Sequence, residues 1–163
     1  MKRLFYFLIA TLISFCAQAS NGGRGGGDLC EDQIGVIRKD LKDWINAGGS
    51  EGLSLTGVTA GEYSKIMVEK IDSTKIRCVS EGDDFYPVQI DGTPKVCRFD
   101  FDEHESWITC DAKKFMSDTD SDQYVLIHHE YAGLAGLESP DGDQSKYLIS
   151  NQISSFLTSA IAS

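Results

Sequence analysis

Positive charge is scarce in this chain: 15 Lys and Arg stand against 25 Asp and Glu among 163 residues, with only three histidines. A surface of that sign repels phosphate backbones and anionic headgroups, so no nucleic acid partner is expected. The acidity itself reads as solubility. Long apolar runs are missing after the first 15 residues, so nothing downstream is expected to span a membrane. Several catalytic signatures are missing too. The glycine-rich stretch Asn21-Gly22-Gly23-Arg24-Gly25-Gly26-Gly27 lacks the Gly-Lys-Ser/Thr ending of a phosphate loop, and no Gly-x-Ser-x-Gly elbow occurs. No two cysteines sit at the short spacing of a zinc knuckle.

What is present begins with an address. Lys2 and Arg3 precede the apolar run Leu4 to Phe15, and Ala17-Gln18-Ala19 is a small-x-small cleavage site, so residues 1–19 are expected to be a signal peptide. A lipoprotein reading through Cys16 is disfavoured by bulky Phe15 before it. Dropping Lys2 and Arg3 takes the 15 basic groups to about 13 against 25 acids, a charge of about −12 for the mature chain. Residues 20–27 then read as a flexible glycine leader and 28–163 as one α+β domain, in a periplasmic or secreted protein.

The mature chain keeps Cys30, Cys78, Cys97 and Cys110, an even set in a compartment where disulfides persist. Val96 to Phe101 and Trp107 to Asp111 read as strands around Asp102-Glu103-His104-Glu105. That loop pairs Phe101 with Ser106, Phe99 with Ile108 and Cys97 with Cys110, and puts Phe99, Phe101 and Ile108 on the face of the cysteines. Cys97 with Cys110 is the preferred bridge, leaving Cys30 with Cys78.

Four helices are expected. The first opens at Asp28 and carries Cys30, Ile34, Ile37, Leu41 and Trp44 to Gly48-Gly49. The second starts from the capping box Thr59-Ala60-Gly61-Glu62 and buries Tyr63, Ile66, Met67 and Ile71. Strands Lys75 to Val79 and Tyr86 to Ile90, with a hairpin turn at Asp91-Gly92, join the other two in a small antiparallel sheet. Asp118-Thr119-Asp120-Ser121-Asp122 resembles a calcium loop but has Gln123 and His129 where glycine and glutamate are required, so these residues read as a helix start, with an acid or Ser121 as cap. The helix that follows, Gln123 to Leu137, is apolar on every side and expected to be central. Ser150 to Ala160 closes the chain, capped by Ser150, with Ile153, Phe156, Leu157 and Ile161 inward.

The central helix carries the candidate chemistry in His129-Glu130-Tyr131-Ala132-Gly133-Leu134-Ala135-Gly136. It resembles the metzincin helix His-Glu-x-x-His-x-x-Gly-x-x-His, with the first histidine, the glutamate and the glycine retained. Gly133 stands at the second ligand position and Ser139 at the third. Most of the mature chain also resembles uncharacterised small exported proteins of Gram-negative bacteria that share His-Glu-Tyr-x-Gly-x-x-Gly-x-Glu, an upstream Val-Cys or Lys-x-Cys strand and a C-terminal Ile-Ser-x-x-Ile run. That resemblance implies export and supplies no activity. The metzincin likeness implies a zincin-like fold, with Glu130 as catalytic base and His129 as metal ligand.

Geometry on the helix argues against a metal. His128 and His129, or His129 and Glu130, diverge by about 100 degrees, and Glu138 lies roughly 13 Å along the axis from His129 unless the chain turns back after Gly136. His104 would have to be brought in by folding. A glycosidase pair of Glu130 and Glu138 lacks any feature that fixes its geometry. The expectation is therefore a non-catalytic module without cofactor. It would bind a protein or peptide at His129, Gly133, Gly136 and Glu138, where the small residues leave a groove. The alternative is a reduced, zinc-dependent metallohydrolase using His129 and Glu130.

Overall fold

The computed structural model of the protein describes residues 26–55, 57–138 and 147–161. The expected signal peptide, most of the expected glycine leader and Ser139 lie outside them, as do the side chains of Leu157 and Ile161. The architecture is α+β, with five α-helices, a three-stranded sheet and a separate two-stranded ribbon among the described residues.

Helix α1 (Gly26–Asn46) buries Cys30, Ile34, Ile37 and Leu41 at the spacing read from the sequence, with Ile45 completing the stripe. Each such aliphatic contributes roughly 1.5–3 kcal/mol on burial, which makes α1 a main wall of the core. Trp44 lies half-buried over the backbone of Gly49, where a methyl group would meet its indole at 2.2 Å. Helix α2 (Ala60–Ser73) begins with the expected capping box: Glu62 N donates to Thr59 Oγ1 at 3.2 Å, and Thr59 N donates to Glu62 Oε2 at 3.0 Å. Tyr63, Met67 and Ile71 face inward.

Strands β4 (Cys97–Phe101) and β5 (Ser106–Asp111) form the expected hairpin, with Phe101 opposite Ser106, Phe99 opposite Ile108 and Cys97 opposite Cys110. Both disulfides, Cys97–Cys110 and Cys30–Cys78, are in place. Phe101 departs from expectation: as the last residue of the strand before the turn it is 71% exposed.

The sheet is mixed, not antiparallel. Strand β1 (Lys75–Val79) pairs in parallel with β5, giving the order β1-β5-β4. Alternation fixes which face a strand buries but says nothing of its neighbour's direction. The far side of β4 is flanked by a helix, so β1 takes the β5 edge. The expected strand Tyr86 to Ile90 shrinks to β2 (Gln89–Ile90), which pairs with β3 (Thr93–Pro94) and not with β4. Asp91 (φ 48) and Gly92 (φ 78) both adopt positive φ, as a two-residue hairpin turn demands, and Pro94 has no N–H to extend the ladder.

After the short α3 (Ala112–Ser117), capped by Asp111, helix α4 (Asp120–Leu134) runs through the middle of the molecule. Its cap is Thr119, which lies between the acids named from sequence but is neither one of them nor Ser121, and its side chain accepts from Asp122 N at 3.3 Å. Asp120 and Asp122 then lie in the first turn, where the helix dipole favours acids. All six residues from Ile127 to Ala132 are buried, so the helix has no solvent face in that stretch. Helix α5 (Ser150–Ile161) packs on α4 through Ile153, whereas Phe156, expected inward, is 39% exposed beside Trp44.

Candidate functional site

Gly136 makes the site. At φ 69 it ends α4 in a Schellman motif, with Leu137 N bonded to Ala132 O at 2.8 Å and Gly136 N to Gly133 O at 2.9 Å. The chain therefore turns back, and Glu138 reaches His129 although nine residues separate them: His129 Nδ1 lies 2.8 Å from Glu138 Oε2. Glu138 is saturated. Its Oε1 accepts from the backbone of Ile149 (2.7 Å) and Ser150 (2.8 Å), and its Oε2 accepts from Ser150 Oγ (2.6 Å) as well as His129. Burial pushes this carboxyl up, but the bonds from His129 and Ser150 outweigh it and hold Glu138 below the usual carboxylate range. The anion thus closes the N-terminus of α5, a capping role that the sequence assigned to Ser150.

Hydrogen-bond arithmetic fixes the protons behind it. Ser150 spends its one hydroxyl proton on Glu138, so it accepts from His128 Nδ1 at 2.6 Å, and His128 Nε2 accepts from Tyr63 Oη at 2.6 Å. Burial holds His128 neutral, lowering its pKa to about 4, and raises that of Tyr63. A relay of donors, Tyr63 to His128 to Ser150 to Glu138, joins α2, α4 and α5. Neither Tyr63 nor Ser150 was singled out for it, since contacts across 65 and 22 residues leave no spacing signal.

By the same arithmetic, His129 donates Nδ1–H to an ionised Glu138 and presents its other nitrogen away from it. The ring stacks on Tyr147, with centroids 3.8 Å apart, and lines a cleft of about 240 Å³. Glu130 lines the same cleft, so adjacent helix positions do share one space here. Burial drives the Glu130 carboxyl up to about 8, with the charge of Asp100 adding, while Lys95 and the Phe99 amide pull it down. Lys95 enters the cleft from the segment after β3, and Ile90, Pro94, Val96 and Leu126 supply its apolar walls.

The other sequence candidates are elsewhere. Gly133 is covered by Phe99, whose ring would meet a methyl group at 2.3 Å, so the position of a second metzincin ligand is closed as well as vacant. Glu138 stands behind His129 and does not face Glu130 across the cleft. His104 is exposed in the β4–β5 turn, and neither it nor Gly136 lines the cleft. A zinc site needs at least three protein ligands. Among the described residues no three His, Cys, Asp or Glu side chains are grouped to hold a metal ion, so these residues do not fit one. No helix among them is long and apolar enough to cross a membrane. No protein-family model, curated protein or solved structure matches the chain.

Proposed function

We propose that this is an exported, non-catalytic module, periplasmic or secreted and zincin-like in ancestry, that binds a protein or peptide segment in the cleft at His129. One observation carries the reading: the neighbours of His129 and Glu130 that could complete a metal site are committed to the fold. Both nitrogens of His128 and both oxygens of Glu138 are engaged internally, and Phe99 fills the space over Gly133. What remains for a partner is the free edge of His129, the carboxyl of Glu130 and an apolar wall. Export is supported by the two disulfides. The retained His129, Glu130 and Gly136 support descent from a zincin helix.

The second reading, a reduced metallohydrolase using His129 and Glu130, is favoured by one feature. The Glu138 bond orients His129 as a carboxylate orients a metal-binding histidine. Its remaining ligands would have to come from outside the described residues. Mass spectrometry of the oxidised protein, purified without a metal-binding tag and incubated with zinc, separates the two. The binding module is expected to hold no stoichiometric zinc. His129→Ala is expected to lower thermal stability by about 1–3 kcal/mol, because Glu138 loses a buried donor. Zinc near one per chain that disappears in His129→Ala would establish the hydrolase instead.

A further inference from the structure

We infer that the outer face of the three-stranded sheet carries a second site, a groove that takes a neutral saccharide. It shares no lining residue with the His129 cleft, so the inference goes beyond the reading above and stands apart from it. Strand alternation creates the face. Cys97, Ile108 and Cys110 turn into the core, which sends Arg77, Arg98, Asp100 and Trp107 to the opposite side, where a groove of about 420 Å³ opens. The loop after β1 folds over this face and lays the Phe85 ring 3.6 Å from the Arg77 guanidinium. Phe85 is 54% exposed and holds φ at 68, a left-handed conformation that a bulky residue adopts only under constraint. Phe101, 71% exposed, lines the same groove. Two phenyl rings are thus held in water around one groove, and such a grouping marks a contact surface.

The polar groups select the occupant. Lys75 pairs with Glu105, and Arg98 pairs with Asp100 at 3.2 Å, which leaves Arg77 and Asp102, one charge of each sign. An anion would meet Asp102 and a cation Arg77, so the groove suits a neutral molecule in a chain of net charge −10. Both groups retain bonding capacity. Arg77 donates Nε–H to Thr109 Oγ1 at 2.7 Å, and its two terminal nitrogens make no hydrogen bond among the described residues. Asp102 Oδ1 accepts from the backbone of His104 (2.7 Å) and Glu105 (2.8 Å), and Oδ2 remains open. These local bonds fix the side chains before a ligand arrives, as does the bond from Trp107 Nε1 to Glu105 Oε2 at 3.1 Å. A sugar hydroxyl donates once and accepts twice, so neighbouring hydroxyls can satisfy a guanidinium and a carboxylate together, while the C–H face of the ring packs on a phenyl face. Peptide main chain pairs with strand edges, whereas this is a sheet face. The volume lies within the roughly 300–1,000 Å³ of small-molecule sites and has room for a disaccharide.

The chain has two tryptophans, so Trp44→Phe leaves Trp107 as the sole emitter, beside the groove. The test is titration of that oxidised protein at pH 7 with cellobiose, maltose, lactose and N,N′-diacetylchitobiose, and with digalacturonate as the charged control. At least one neutral disaccharide is expected to change Trp107 emission saturably, with a Kd of about 1 mM or below, and digalacturonate to bind about tenfold more weakly. Phe101→Ala is expected to weaken the neutral sugar about tenfold without lowering the melting temperature, because its ring is exposed. Phe85→Gly separates binding from folding: glycine accepts the positive φ, so the variant should melt as the wild type does and yet lose the sugar. No saturable change with any of the four up to about 50 mM would overturn the inference. Tighter binding of digalacturonate would overturn the neutral assignment. Sedimentation of the wild type showing self-association that Phe101→Ala dissolves would overturn it in favour of an interface between two copies. None of these outcomes bears on the His129 cleft, which the zinc measurement judges separately.

Discussion

Glu130 and His128 sit two positions apart on one buried helix, and burial presses each toward its uncharged form, with opposite consequences for stability. For His128, whose pKa falls from 6.5 to about 4, the unfolded chain takes up a proton that the folded chain refuses. Its contribution is present above about 6.5 and is lost as pH drops toward 4. For Glu130, raised from 4.5 to about 8, the folded chain keeps a proton that the unfolded chain has released. That contribution is present below about 4.5 and is lost as pH rises through 8. Each slope is about 1.4 kcal/mol per pH unit. The two oppose one another between about 4.5 and 6.5, and from there to 8 only the Glu130 loss remains. Glu130→Gln is therefore expected to hold its stability between pH 6.5 and 8 where the wild type declines. Urea unfolding of both proteins at pH 5, 6.5 and 8 checks this, and a wild type that loses nothing relative to Glu130→Gln would refute a neutral Glu130.

At the scale of elements, α4 is held from both sides. Gly133 lets the Phe99 ring of β4 press against its backbone, while the turn at Gly136 delivers Glu138 to the start of α5. Gly133→Ala raises intrinsic helix propensity by about 1 kcal/mol, yet its new methyl would stand 2.3 Å from Phe99 Cε1. Overpacking of this kind costs about 1–3 kcal/mol, so a net loss of stability is expected. In a double-mutant cycle with Phe99→Leu, much of that loss should be recovered, and strict additivity would mean that the ring is not the obstacle. The sequence made part of this legible. The Thr59 capping box, the Cys97–Cys110 register and the burial of α4 all follow from local spacing or period. The glycines pointed to close packing without naming Phe99. The parallel pairing of β1 was hidden because a strand's face pattern is the same in either direction. The relay through Tyr63 and Ser150 was hidden because each residue has a plainer local reading, as core and as cap. Lys95 was invisible for a third reason, since a lone lysine after a turn has no signature until folding sets it beside Glu130.

The whole molecule is tied together at two very different ranges. Cys30–Cys78 spans 48 residues and fastens α1 to the edge strand β1, where Cys78 N also donates to Glu31 Oε1 at 3.0 Å. Cys97–Cys110 spans 13 residues inside a hairpin that its own ladder already closes. In the chain-entropy view, a crosslink stabilises by narrowing the unfolded ensemble, by about 4 kcal/mol for the long loop and about 3 kcal/mol for the short one. Against a typical total of about 5–15 kcal/mol, either loss is severe. Removing the long bridge also releases the edge strand of the sheet, whereas the hairpin keeps its turn and ladder. Paired alanine substitutions, Cys30→Ala with Cys78→Ala and Cys97→Ala with Cys110→Ala, are therefore expected to lower the urea midpoint in that order of severity. The long-bridge pair should also show the larger rise in m-value, because its unfolded state expands further. If the hairpin pair proved the more damaging, the Cys97–Cys110 bridge would be sustaining the Lys95 to Cys97 wall of the cleft as well as the unfolded-state constraint, and peptide affinity should fall with it.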